Sequence, residues 1–214
     1  MLQTAKELGL KIIGVSFHTG SGGVEFESYE SSLHNARKIF DMAVQMDMAK
    51  MDFIDIGGGF TLVNPVSARN FDHVAPLIGK LIDKLFPDKS VRCIAEPGRY
   101  ISESVVYLTS TIIGSKILSS GTHHYYLDSG VYQGYALRPF GEDQYVLPVV
   151  PNNRAIVPST FWGQTCDSCD WIIKDKDHPE YKTGEWVISR DFGAYNNEIG
   201  CEFNGYKCPS IVFI

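Results

Sequence analysis

No stretch of this 214-residue sequence approaches the roughly 20 consecutive apolar residues that a bilayer-spanning helix needs. No cluster of lysine or arginine stands out among its 19 basic residues, and 25 acidic residues bring the net charge to −6. That balance speaks against nucleic acid or an anionic membrane as partner. The opening Met1-Leu2-Gln3-Thr4-Ala5-Lys6-Glu7 is a helical register without the apolar core of a signal peptide. Cysteine is sparse and odd in number, at positions 93, 166, 169, 201 and 208. In a chain with enough apolar residues for a real core, this indicates reduced thiols and a cytoplasmic setting rather than a disulfide framework. Cys166-x-x-Cys169 lacks the second Cys/His pair of a structural zinc site and the strand-to-helix setting of a redox pair, so no metal is expected. Repeats and low-complexity tracts are also absent.

What is present changes character near residue 100. Before it, strand and helix alternate. Lys11–Phe17, Phe53–Ile56 and Val91–Ala95 are short aliphatic or β-branched runs that predict strands. Between them, Leu33, Ala36, Ile39, Phe40, Ala43 and Val44 have helical spacing within 29–46, and Val74, Ile78, Leu81, Ile82 and Leu85 within 71–85, with Pro87 beyond the second helix. That order predicts parallel strands joined by crossover helices. After Tyr100 the runs Val105–Thr109, Thr111–Ile113, His124–Leu127, Glu185–Ile188 and Ser210–Ile214 predict short antiparallel strands, separated by turns such as Ser119-Ser120-Gly121 and Lys182-Thr183-Gly184. The expected domains are therefore a partial α/β barrel over 1–100 and a β domain over 101–214. Three βα units cannot close an eight-stranded barrel, so either the chain is part of a longer protein or other chains complete the fold.

The chemistry-bearing residues sit in three blocks, each following a predicted strand: Phe17-His18-Thr19-Gly20-Ser21-Gly22-Gly23, Asp55-Ile56-Gly57-Gly58-Gly59-Phe60 and Glu96-Pro97-Gly98-Arg99-Tyr100. A phosphorylated heteroaromatic cofactor such as pyridoxal 5′-phosphate needs this equipment at the top of an α/β barrel. Its ring nitrogen needs a buried carboxylate to stay protonated, which Glu96 supplies. Its phosphate needs amides unhindered by Cβ atoms, a fork of donors and a hydroxyl, which Gly57-Gly58-Gly59, Arg99 and Ser21 supply. An imidazole, His18, suits the ring face. Each piece alone has a plain structural explanation: a tight turn, a surface ion pair, a structural histidine. Their order, each at a strand end, favours a cofactor site.

These blocks resemble those of the ornithine/diaminopimelate/arginine decarboxylases, pyridoxal phosphate enzymes of the alanine-racemase-like fold, and most of all the eukaryotic ornithine decarboxylase branch. Gly130-Val131-Tyr132, Gly163-Gln164-Thr165-Cys166-Asp167, Gly193-Ala194-Tyr195 and Phe203-Asn204-Gly205-Tyr206 extend the resemblance to the C-terminus. It implies the C-terminal portion of a barrel followed by an antiparallel β domain, and decarboxylation of ornithine to putrescine in polyamine biosynthesis. It further implies that His18 stacks on the cofactor ring, Glu96 pairs with its nitrogen, and Ser21, Gly57, Gly58, Gly59, Gly98, Arg99 and Tyr195 hold it. Cys166 would return a proton to Cα after carbon dioxide leaves, Asp167 would bind the distal amine, and Phe203 would line the pocket. In the family, Cys166 and Asp167 would serve the partner subunit's site, so a homodimer, or assembly with other decarboxylase subunits, is implied. A thiol is a workable proton donor near neutral pH.

Two departures stand out. The family's Schiff-base lysine motif has no counterpart among these residues; Lys11, Lys50, Lys80 and Lys116 lie in unrelated contexts. The chain by itself is therefore expected to be inactive, as a fragment of a longer enzyme or a non-catalytic paralogue that binds full-length subunits. The second departure follows Tyr132, where the family has Tyr-Asp gripping the distal amine and this chain reads Ala136-Leu137-Arg138-Pro139-Phe140-Gly141-Glu142-Asp143. Glu142 or Asp143 would substitute after a one-residue shift. Arg138-Pro139 resembles the diaminopimelate branch, so a lysine or diaminopimelate substrate is the alternative to ornithine.

Overall fold

The computed structural model describes residues 1–21, 25–61, 71–140, 147–148 and 153–214. They form two compact units, Met1–Ile101 and Ser102–Ile214.

In the first unit, α1 (Leu2–Glu7), β1 (Gly14–Ser16), α2 (Phe26–Gln45), β2 (Phe53–Asp55), α3 (Phe71–Leu85), β3 (Arg92–Ile94) and the short α4 (Arg99–Ser102, crossing the boundary) follow in chain order. The strands form a parallel sheet β1-β2-β3, with Val15 opposite Ile54 and Ile54 opposite Cys93. α2 buries the stripe Tyr29, Leu33, Ala36, Phe40 and Ala43, the three- and four-residue spacing of one helix face. α3 adds Val74, Ile78 and Leu81 to the same core, with Ile54, Ile56 and Phe60 beneath. Val44, expected on the inner stripe, faces out.

All three strands are shorter than the apolar runs that announced them. Among the described residues only β2 is paired on both sides, and all of β3 is exposed. The run Lys11–Phe17 contributes only Gly14–Ser16.

The second unit contains β4 (Leu108–Ile117), β5 (His123–Leu127), β6 (Leu147–Pro148), β7 (Ile156–Trp162), β8 (Trp171–Pro179) and β9 (Trp186–Ser189) in one sheet ordered β6-β9-β4-β5-β7-β8. The two runs expected between Val105 and Ile113 are parts of the single strand β4, whose first half pairs with β9 and whose second half pairs with β5. The sheet is not antiparallel throughout, since β5 and β7 run parallel. Ser210–Ile214, expected as a strand, is irregular: it finds no ladder partner among the described residues, and Phe213 and Ile214 are almost fully exposed. The core gathers Ile112, Tyr125, Leu127, Tyr135, Phe161, Ile173 and Val187.

Candidate active site

In the first unit the loops following β1, β2 and β3 are laced together by backbone bonds. Phe17 N–H donates to Asp55 O (3.0 Å), Ile56 N–H to Ile94 O (3.0 Å) and Glu96 N–H to Gly57 O (2.8 Å). Contact at the triple glycine is tight. A Cβ on Gly58 would lie 2.3 Å from Glu96 O, and one on Gly59, whose φ is +89°, would lie 1.9 Å from Gly20 O. Glycine is the residue that permits both approaches.

Two residues without an assigned role from sequence set this geometry. The buried Asp55 accepts Gly57 N–H on Oδ1 (2.8 Å) and the Ser16 hydroxyl on Oδ2 (3.3 Å). The Tyr29 hydroxyl donates to Gly58 O at 3.2 Å. Burial raises the Tyr29 phenol above its ordinary value, with the Thr19 hydroxyl pulling the other way. An aspartate two residues ahead of a glycine at a strand end is the signature of such a side-chain-braced turn.

Gly57 therefore shapes the cradle while its own N–H is committed to Asp55. The amides of Gly58 and Gly59 have no protein partner among the described residues. Arg99 is buried, and its Nε donates to Ser21 Oγ at 3.1 Å. Gly20 N–H donates to His18 Nδ1 at 3.3 Å, which leaves the ring hydrogen of the neutral form on Nε2. The exposed His18 ring lies beside Gly59.

One expectation is corrected. Glu96 was to be a buried carboxylate, but it is exposed, as are its neighbour Gly98 and all of β3. No described element covers that edge of the sheet. For a cofactor, the test is whether donors converge where backbone can approach. Unhindered amides, a hydroxyl and a buried guanidinium meet at the end of one sheet, which suits a phosphate.

The second unit assembles a separate group. The turn Gly130–Tyr135, after β5, carries Tyr132, and the loop 163–170 between β7 and β8 carries Cys166 and Asp167. The Tyr132 hydroxyl donates to Asp167 Oδ2, and Cys169 N–H donates to Oδ1 at 2.9 Å. These bonds hold the Asp167 carboxyl below its usual range, while the hydrogen bond to Asp167, with desolvation, pushes the Tyr132 phenol up to about 12. Phe203 stacks on Tyr132 with ring centroids 4.2 Å apart, and Asn204 Nδ2 donates to Cys166 Sγ at 3.3 Å.

Asp170, missed in the sequence reading, ties the two segments. It is 1% exposed; Oδ1 accepts Val131 N–H at 2.8 Å, and Oδ2 accepts Thr165 N–H at 3.0 Å and the Thr165 hydroxyl at 2.7 Å. Tyr195 also lies in this unit, half exposed with φ +65°. Arg138 stands over the Trp171 ring. Gly22, Gly23, Glu142 and Asp143 lie outside the described residues.

Among the described residues, no group of three or more His, Cys, Asp or Glu is placed to hold a metal ion, and no helix is long and apolar enough to cross a membrane. All five cysteines are free thiols.

Residues 1–103 match the family model for the pyridoxal-binding domain of pyridoxal-dependent decarboxylases. Ornithine decarboxylase of Cricetulus griseus is 36% identical over 229 residues, covering 100% of this chain and 50% of that protein. Antizyme inhibitor 2 of Xenopus laevis is 34% identical over 222 residues, covering 97% and 48%. The lysine/ornithine decarboxylase of Vibrio vulnificus complexed with cadaverine superposes with a TM-score of 0.85 at 30% identity, over 97% of this chain and 56% of that one. The chain thus spans about half the length of the curated relatives it matches.

Proposed function

The chain belongs to the pyridoxal-dependent ornithine/diaminopimelate/arginine decarboxylase family, matching its C-terminal part, and from that premise we propose that it carries an ornithine-decarboxylase-like site for pyridoxal 5′-phosphate and a basic amino acid. The observation that carries this reading is the cradle of Gly58, Gly59, Ser21 and the buried Arg99 at the end of the parallel sheet. There the two amides, the hydroxyl and the guanidinium would hold the phosphate. His18, exposed beside Gly59, would offer its imidazole to the ring face, and Glu96, also exposed, its carboxylate to the ring nitrogen. When bound, the cofactor supplies the electron sink for the substrate carbon that loses carbon dioxide.

The protein's own groups do the rest. Asp167, kept ionised by Tyr132 and the Cys169 amide, attracts the distal ammonium of ornithine. Phe203, stacked on Tyr132, forms the wall beside it. Cys166 delivers a proton to the substrate carbon. The assembly is a homodimer or a mixed dimer with longer decarboxylase subunits, acting in the cytoplasm and releasing putrescine.

A second reading, a non-catalytic binding partner of decarboxylase subunits, is favoured by the antizyme inhibitor match over 97% of the chain. The 214 residues place no lysine in the cofactor blocks, so the chain alone is predicted to be inactive under either reading.

Mixing separates the two. The chain is combined with a full-length ornithine decarboxylase whose own matched cysteine is alanine. Co-purification with recovered putrescine formation, lost again in Cys166→Ala, supports the enzymatic reading. Co-purification without recovery supports the partner reading. A chain that stays alone defeats both.

A further inference from the structure

Within the block Phe203-Asn204-Gly205-Tyr206 the resemblance implies a role for Phe203 alone, yet the structure gives Asn204 a partner. Phe203 and Tyr206 form an isolated bridge, Phe203 N–H donating to Tyr206 O at 3.2 Å and Tyr206 N–H to Phe203 O at 3.0 Å. Asn204 and Gly205 between them have φ of +55° and +81°, the two left-handed residues of a hairpin turn that Asn-Gly favours. Stacking of Phe203 on Tyr132, which in turn bonds Asp167, anchors this turn to the loop that carries Cys166. The Asn204 side chain then reaches Cys166 Sγ at 3.3 Å, with Nδ2 as donor.

We propose that Asn204 is a positioning residue for the Cys166 thiol, occupying a lone pair on the sulfur so that its single hydrogen is directed away from the turn. The inference rests on the assignment of Cys166 as proton donor. In the step itself the S–H bond breaks, the proton forms a C–H bond with the electron pair on the substrate carbon, and the S–H pair stays on sulfur as a thiolate. An N–H already aimed at that sulfur becomes a charge-assisted bond as the negative charge develops. The interaction is therefore stronger late in the transfer than before it, which is what speeds a step.

Two variants keep the turn and change the contact. Asn204→Gly retains the left-handed backbone and deletes the amide; Asn204→Asp retains the shape and replaces the donor with a carboxylate. The chain is alkylated at fixed pH with iodoacetamide or with anionic iodoacetate. Modification of Cys166 is read by peptide mass against Cys93, an exposed thiol in the other unit. Asn204→Gly is expected to slow Cys166 by about twofold to threefold with both reagents. Asn204→Asp is expected to slow it by about tenfold with iodoacetate and less with iodoacetamide, since a hydrogen bond to a developing charge is replaced by repulsion.

A Cys166 rate unchanged in Asn204→Gly, with Asn204→Asp acting equally on both reagents, assigns Asn204 to the turn alone and overturns the proposal. In the mixed enzyme, Asn204→Gly should raise transamination by-product relative to putrescine by about fivefold; an unchanged ratio overturns it as well. If Cys166→Ala leaves that ratio unchanged, Cys166 is not the proton donor, and the role of Asn204 in proton delivery falls with it. The alkylation result then still reports the hydrogen bond, so the two failures are told apart.

Discussion

Asp170→Asn preserves the shape of a side chain on which Tyr132, Cys166 and Asp167 depend, and changes one atom of it. Its two oxygens accept three bonds, from Val131 N–H, Thr165 N–H and the Thr165 hydroxyl. An asparagine has one acceptor oxygen, so whichever way its amide is turned, an NH₂ faces a backbone N–H. The Thr165 hydroxyl can rotate to accept; a backbone amide cannot. One buried donor left against another costs about 1–3 kcal/mol, and loss of charge assistance in the remaining bonds adds about 1 kcal/mol. Relief is blocked because the residue is 1% exposed, and the backbones of Gly130 and Gly163 press so closely that a Cβ on either would lie 2.2 Å from Oδ1.

A total of about 2–4 kcal/mol follows for the second unit. All three tryptophans, Trp162, Trp171 and Trp186, lie in that unit, the first two at the ends of the strands flanking the loop. Urea unfolding followed by tryptophan fluorescence therefore reads it selectively. With a slope of about 1.5 kcal/mol per molar urea, the midpoint should fall by about 1.3–2.7 M. A fall of less than about 0.3 M would show that the carboxylate is not the tie described.

Two glycines should respond in opposite directions. Gly59→Ala combines a left-handed φ of +89° with a Cβ 1.9 Å from Gly20 O; it should cost about 2 kcal/mol or more and abolish cofactor binding. Gly79→Ala, in the exposed middle of α3 with nothing within 4 Å of the new methyl, should stabilise the first unit by about 0.5–1 kcal/mol. Thermal unfolding with circular dichroism checks both. Alkaline pH should weaken the second unit, because burial pushes the Tyr135 phenol from 10.0 up to about 12. Its stabilising effect is complete below pH 10, where the unfolded tyrosine is still protonated, and is lost as pH rises toward 12. Urea midpoints at pH 8 and 11, with tyrosinate absorbance, test this; equal midpoints would refute it.

The sequence was most legible where a period met a buried face. α3 spans Phe71–Leu85 as its apolar spacing predicts, and α2 starts three residues earlier than its spacing predicts and ends one residue earlier. β7 and β8 were not anticipated, since Pro158 interrupts one and Lys174-Asp175-Lys176-Asp177 dominates the other. Their strand character comes from pairing with each other and, for β7, with β5, which local pattern does not encode. Ser210–Ile214 shows the converse: an apolar run that stays irregular without a ladder partner among the described residues.

At the site, the glycine run, Arg99 and Ser21 were readable because their chemistry is concentrated in short blocks. Asp55, Asp170 and Asn204 were not assigned roles, since each acts on backbone or on residues distant in sequence. Glu96 was misread as buried because its burial depends on what covers β3 rather than on its own block.

Phosphate recognition at the ends of β1, β2 and β3 is best measured by isothermal titration of the chain with pyridoxal 5′-phosphate and, separately, with pyridoxal. Surface lysines react with both aldehydes, so only the difference between them reports the cradle. Saturable one-to-one binding of the phosphorylated form is expected, at least about tenfold tighter than pyridoxal, with that advantage lost in Ser21→Ala and Arg99→Met. Equal affinity for the two compounds, or an advantage that survives both substitutions, would contradict a phosphate site at these residues.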